Sequence, residues 1–87
     1  MEKYEFTTRS KKAEKQFDEI LYSRENIKEK LEELQENPRK ALHAHKLKGK
    51  LAGKWSCYLG GNIRLMYEID DLNKEIVVVS AGLHKIY

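Results

Sequence analysis

WSCYLGGNIRLMYEID, residues 55–70, followed closely by EIVVVS, residues 75–80, decides the fold. Trp55–Leu59, Ile63–Ile69 and Glu75–Ser80 are each of strand length, rich in aromatic and β-branched residues, and separated by Gly60-Gly61-Asn62 and Asp71-Leu72-Asn73-Lys74. They predict an antiparallel three-stranded meander. Ile76–Val79 is apolar at every position, which fits a strand covered on both faces or central in the sheet. Side chains alternate faces along a strand, so placing Trp55, Cys57 and Leu59 on the core face with Ile63, Leu65 and Tyr67 requires Leu59 to oppose Ile63 across an odd-length connection. Ser56, Tyr58, Arg64, Met66 and Glu68 then point away from the core, with Tyr58 beside Arg64. A two-residue turn would instead set Arg64 opposite Cys57, so the hairpin register tests this placement.

Working outward, Lys3–Thr7 alternates, with Tyr4 and Phe6 on one side, and predicts a first strand. Thr8 or Ser10 can cap a helix running from Ser10 to Leu21, in which Ala13, Phe17, Ile20 and Leu21 form one apolar stripe. Ser23 is a candidate cap for a second helix, where Ile27, Leu31 and Leu34 repeat the spacing until Asn37-Pro38 stops it. The pattern is α+β: an N-terminal strand, an antiparallel helix hairpin, then the meander, with the helices on one sheet face. Arg39 to Lys54 has no clean period and contains Gly49 and Gly53. It is expected to be an exposed basic connection, with a short helical turn at Ala41–His45.

Eighty-seven residues predict one domain, 1–87, near the lower end of what one core supports without staples. The single cysteine, Cys57, cannot form an internal disulfide and fits a reducing cytoplasm. No segment approaches the roughly 20 apolar residues of a membrane span, so no membrane association is expected. The formal net charge is +3, and it is placed rather than spread: residues 1–44 carry 10 basic and 10 acidic side chains, residues 45–87 carry 7 and 4. From Asn37 to Tyr67 there is no Asp or Glu, against seven Lys and Arg and the histidines His43 and His45. Such a stretch is suited to a polyanion.

If that polyanion is RNA, cleavage by its own 2′-hydroxyl needs a base, donors for the charge developing on the phosphate, and an acid for the departing oxygen. His45 and His84 are candidates for acid and base, because imidazole titrates closest to neutrality. Arg64 offers a planar donor fork for a phosphoryl oxygen. Lys46, Lys48, Lys50 and Lys54 would bind backbone with little sequence choice, and Trp55 or Tyr58 could stack on a base, with parity favouring Tyr58. Each has a plainer alternative: His45 and His84 as solvated histidines, Arg64 as a surface strand residue, the lysines as a solvated loop, and Trp55, Cys57 and Tyr67 as core. His43 and His45 have too few nearby ligand types to predict a metal site.

HKLKGKLAGKWSCYLGGNIRLMYEID together with EIVVVSAGLHKIY resembles the RelE/ParE superfamily of bacterial and archaeal toxins, and within it the YafQ-like mRNA interferases. The resemblance rests on the Leu and Gly in His45–Gly49, the aromatic strand at Trp55, Arg-x-x-Tyr at Arg64–Tyr67, and a terminal Gly-x-His ending in an aromatic residue. It implies a RelE-like ribonuclease fold and a toxin, paired with an acidic antitoxin, that cleaves mRNA in the 30S ribosomal A site without a metal or other cofactor. It also implies phosphate stabilisation by Arg64, a catalytic role for His84, a YafQ-like histidine at His45, and substrate positioning by the terminal aromatic Tyr87. The chain departs from the family pattern in three places. Ser56 and Tyr58 stand where RelE has lysines, Asn62 stands where the YafQ branch has an aspartate, and the spacing from His84 to Tyr87 is short. A ParE-like inhibitor of DNA gyrase and a catalytically degenerate antitoxin-binding module remain the alternatives.

Overall fold

The computed structural model describes residues 3–22, 26–60 and 62–83. Its elements are β1 (Glu5–Thr8), α1 (Lys11–Leu21), α2 (Ile27–Glu36), β2 (His45–Lys46), β3 (Trp55–Tyr58), β4 (Ile63–Asp70) and β5 (Glu75–Leu83), with single turns of 3-10 helix at Ala41–His43 and Gly49–Leu51. The five strands form one sheet in the order β1-β5-β4-β3-β2, parallel between β1 and β5 and antiparallel elsewhere.

The expected α+β architecture is present, with local chemistry that explains it. Ser10 has extended backbone and its Oγ accepts the Ala13 N–H at 3.1 Å, so Ser10 rather than Thr8 caps α1. The candidate cap Ser23 lies outside the described residues. Asn37, ahead of Pro38, leaves helical geometry and ends α2. Ile20 from α1 and Ile27, Leu31 and Leu34 from α2 pack against Cys57, Leu65, Tyr67, Ile76 and Val78 of the sheet. Full burial of side chains such as Leu34 and Leu65 stabilises by about 1.5–3 kcal/mol each relative to exposure. The Tyr67 hydroxyl donates to the Pro38 carbonyl at 2.6 Å, locking the end of α2 onto the sheet.

The hairpin register is the one that strand parity requires. Cys57 pairs with Leu65 and Tyr58 with Arg64, and the Leu59 N–H donates to Ile63 O at 2.9 Å around a three-residue connection. Gly60 stands in that connection at φ +92°, which glycine adopts without steric cost. β5 lies between β1 and β4, consistent with its apolar run. A bulge between Met66 and Tyr67 of β4 sets Val78 opposite Tyr67 and Ser80 opposite Met66. Val79 is therefore the extra residue, and the core-facing positions change from Ile76 and Val78 to Ala81.

Two expectations are corrected. Residues 39–54 are not merely a connection, because His45 and Lys46 pair with Ser56 and Trp55 and add a strand to the meander. Two residues form too short a run for periodicity to register. β5 also continues past Ser80 to Leu83, against Ile63–Leu65. The Ser-Ala-Gly sequence is poor in β-propensity, but ladder pairing on one side and α1 on the other hold it. Beyond Val78, where β1 has ended, α1 lies beside β5, and the Ala81 N–H donates to Gln16 Oε1 at 3.2 Å. A side chain thus satisfies part of an otherwise open strand edge.

Candidate functional site

On the sheet face opposite the main core, β2 to β5 bring His45, Ser56, Tyr58, Arg64, Met66, Ser80 and Gly82 into one surface, because directly paired residues share a face. Arg64 Nη2 donates to the Tyr58 hydroxyl at 2.8 Å, and the guanidinium carbon is 4.7 Å from the Tyr58 ring centroid. Both contacts orient the fork. Arg64 Nε is buried and has no hydrogen-bond partner among the described residues, and an unpaired buried donor costs about 1–3 kcal/mol. Gly82 opposes Arg64 at φ +149°, and a Cβ placed there would meet nothing within 4 Å. The space beside the guanidinium is therefore open.

His45 enters this face from β2, its ring 6.3 Å from that of Tyr58. Its Nδ1 is 3.1 Å from the His43 carbonyl oxygen. A carbonyl only accepts, so this hydrogen bond places a proton on Nδ1 and, in the neutral ring, leaves Nε2 as the basic nitrogen. Leu42 and His43 precede it at φ 57° and 59°. Consecutive left-handed non-glycine residues cost about 1–2 kcal/mol each, and here they deliver the chain to the edge of β3.

The basic side chains do not all gather here. Lys46 pairs with Trp55 on the opposite sheet face, its Nζ 5.7 Å from the indole centroid. Lys54 Nζ is 3.5 Å from a Glu68 oxygen. Arg39 forms a two-bond ion pair with Asp71, at 3.1 and 2.7 Å, and Tyr4 also donates to Asp71. The Arg39 hydrogen bond, reinforced by Tyr4, holds the Asp71 carboxyl down at about 2. The gap in acids along the chain is therefore partly filled in space by Glu68 and Asp71. Lys48 and Lys50 are exposed, with no ion pair among the described residues. His84 and Tyr87 lie outside the described residues.

Beside Arg64 a groove of about 460 Å³ runs between the sheet, α1 and the loop after β2. Lys12 and Gln16 of α1, Leu47, Leu51 and Met66 line it, and no acid does. Sequence reading assigned none of these five to a site. Lys12 and Gln16 are four apart on one helix face, a detectable spacing, but nothing local says which part of the sheet that face meets.

A family model described as the ParE toxin of the type II toxin–antitoxin system parDE matches residues 8–85. The chain belongs to the ParE toxin family. Solved structures with the same fold include the toxin–antitoxin complex RelBE2 from Mycobacterium tuberculosis, at TM-score 0.73 and 22% identity, covering 94% of this chain and 99% of that one. The YoeB-YefM complex from Staphylococcus aureus gives TM-score 0.71 and 23% identity, with 94% and 98% covered. A mutant YafQ from E. coli gives TM-score 0.65 and 17% identity, with 93% of each chain covered. No curated protein sequence gives a significant match. This ParE-family chain is thus a type II toxin built on the fold that RelE, YoeB and YafQ proteins share, and among its described residues no helix is long and apolar enough to cross a membrane.

Proposed function

We propose that this ParE-family toxin is an endoribonuclease that cleaves mRNA in the A site of the cytoplasmic ribosome, with the RNA's own 2′-hydroxyl as nucleophile. The observation that carries the reading is Arg64, which lines an acid-free groove and whose buried Nε has no hydrogen-bond partner among the described residues. His45, through Nε2, takes the 2′-hydroxyl proton. The 2′-oxygen bonds to phosphorus, the bond to the 5′-oxygen breaks, and His84 protonates that oxygen, leaving a 2′,3′-cyclic phosphate and a 5′-hydroxyl. Arg64 donates to the phosphoryl oxygens as charge develops on them, Tyr58 keeps its fork oriented, and Tyr87 positions substrate. Lys48 and Lys50 bind backbone phosphates, with Lys46 and Lys54 adding charge at the margins.

An acidic antitoxin is the proposed partner, a reading supported by the antitoxin complexes of RelBE2 and YoeB-YefM. The family model favours one second reading, inhibition of DNA gyrase in the manner of ParE. That activity needs no acid or base. Primer extension on mRNA from cells expressing Arg64→Ala or His84→Ala, beside a gyrase supercoiling assay of the unaltered chain, separates the two. Loss of cleavage in both variants with gyrase unaffected is expected. Intact cleavage in both overturns the mechanism, and inhibited supercoiling without cleavage selects the gyrase reading.

A further inference from the structure

Gln16 does two things at once. Its Oε1 is committed to the Ala81 N–H at 3.2 Å, which fixes the orientation of the amide and leaves Nε2, a donor with no partner among the described residues, as the group available to a ligand. Gln16 lines the groove that begins at Arg64. Lys12, one helical turn earlier, supplies a cation in the same groove. Leu47, Leu51 and Met66 supply apolar surface, and Leu51 is 40% exposed although large and hydrophobic. A phosphate-binding cation, an apolar shelf and one oriented donor together match the parts of a nucleotide: charged backbone, flat base face and hydrogen-bonding base edge.

We propose that this groove seats the nucleotide adjoining the scissile phosphate, with Lys12 on its phosphate, the base against Leu47, Leu51 and Met66, and Gln16 Nε2 donating to an acceptor on the base edge. Gln16 is then a determinant of cleavage-site preference. The inference rests on the ribonuclease reading and adds the substrate subsite. A nucleotide is the proposed occupant because the groove opens beside Arg64, the residue proposed to hold the scissile phosphate, and a peptide occupant is an outcome of the test.

Gln16→Glu is the informative substitution. It keeps an oxygen for the Ala81 N–H, so the β5 edge stays satisfied, but it replaces the donor by an acceptor. With full-length toxin and a defined mRNA in a reconstituted translation reaction, cleavage sites are mapped and quantified by primer extension. Gln16→Glu is expected to change the relative cleavage of sites that differ in the adjoining base by about tenfold. Lys12→Ala is expected to lower cleavage at all sites about equally, since a phosphate contact carries no sequence information. An unchanged site pattern in Gln16→Glu, or unchanged rates in Lys12→Ala, overturns the subsite. So does weakened antitoxin binding in these variants with wild-type cleavage, which assigns the groove to the antitoxin. The unaltered chain and Arg64→Ala run alongside keep the levels apart: no cleavage by the unaltered chain sinks the ribonuclease reading, cleavage that survives Arg64→Ala sinks the role given to Arg64, and loss of cleavage in Arg64→Ala with unchanged Gln16 and Lys12 variants removes only the subsite.

Discussion

Removing one buried oxygen tests both the packing and the separation of core from site. Tyr67 is fully buried, its hydroxyl donates to Pro38 O at 2.6 Å, and Pro38 is itself buried. Burial, with the nearby Cys57 adding to it, pushes the phenol pKa upward, so the group stays a protonated donor at any ordinary pH. Tyr67→Phe keeps the ring and deletes the bond. A neutral hydrogen bond contributes about 0.5–1.5 kcal/mol net, and stranding a buried acceptor raises the total cost to about 1–3 kcal/mol. For a chain of this size that lowers Tm by about 4–8 °C per kcal/mol. The measurement is urea unfolding followed by Trp55 fluorescence, with a thermal melt in parallel. Because Tyr67 lies on the opposite face from Arg64, mRNA cleavage per folded molecule should be unchanged. A stability change under about 0.5 kcal/mol, the usual size of an uneventful surface substitution, refutes the bond's role. Loss of cleavage in a fully folded variant refutes the assignment of faces.

Two other consequences concern titration and reactivity. Asp71 is held at about 2 by Arg39 and Tyr4, below the usual carboxylate value near 4, so its contribution is present above about pH 4 and is lost as pH falls through about 2. Urea midpoints measured from pH 7 to pH 2 should therefore fall less steeply at the acid end in Asp71→Asn than in the unaltered chain; because Arg39 and Asp71 are half-exposed, added salt should shrink the difference. The Cys57 thiol is fully buried and pushed up to about 12 by burial, so iodoacetamide at pH 8 should modify it only in urea, as read by mass spectrometry, and prompt labelling of native protein would contradict the packing around it.

Strand parity was legible because it depends only on alternation within 55–70. Alternation alone places Tyr58 beside Arg64, and the 2.8 Å bond follows from that register. Helix stripes and the Asn37-Pro38 stop were legible for the same reason: each is a local rule. What was not legible depends on elements far apart in the chain. Asp71 answers Arg39 across 32 residues and Gln16 answers Ala81 across 65, and no window contains both members. β2 is two residues long, so only its partner β3 reveals it. The basic stretch is less basic in space than along the chain for a related reason, since a gap in acids along the sequence says nothing about acids such as Glu68 and Asp71 that the fold returns to it.

The strand order has a consequence for synthesis. β1 precedes the other strands yet among the described residues pairs only with β5, and Tyr4 reaches Asp71 across 67 residues. During translation the first strand must wait, unpaired, while nearly the whole sheet is made, and long-range pairings of this kind form slowly. Arg64 acquires its neighbours across β5 only once Gly82 has left the ribosome. The order of assembly thus delays completion of the Arg64 face until β5 has been made.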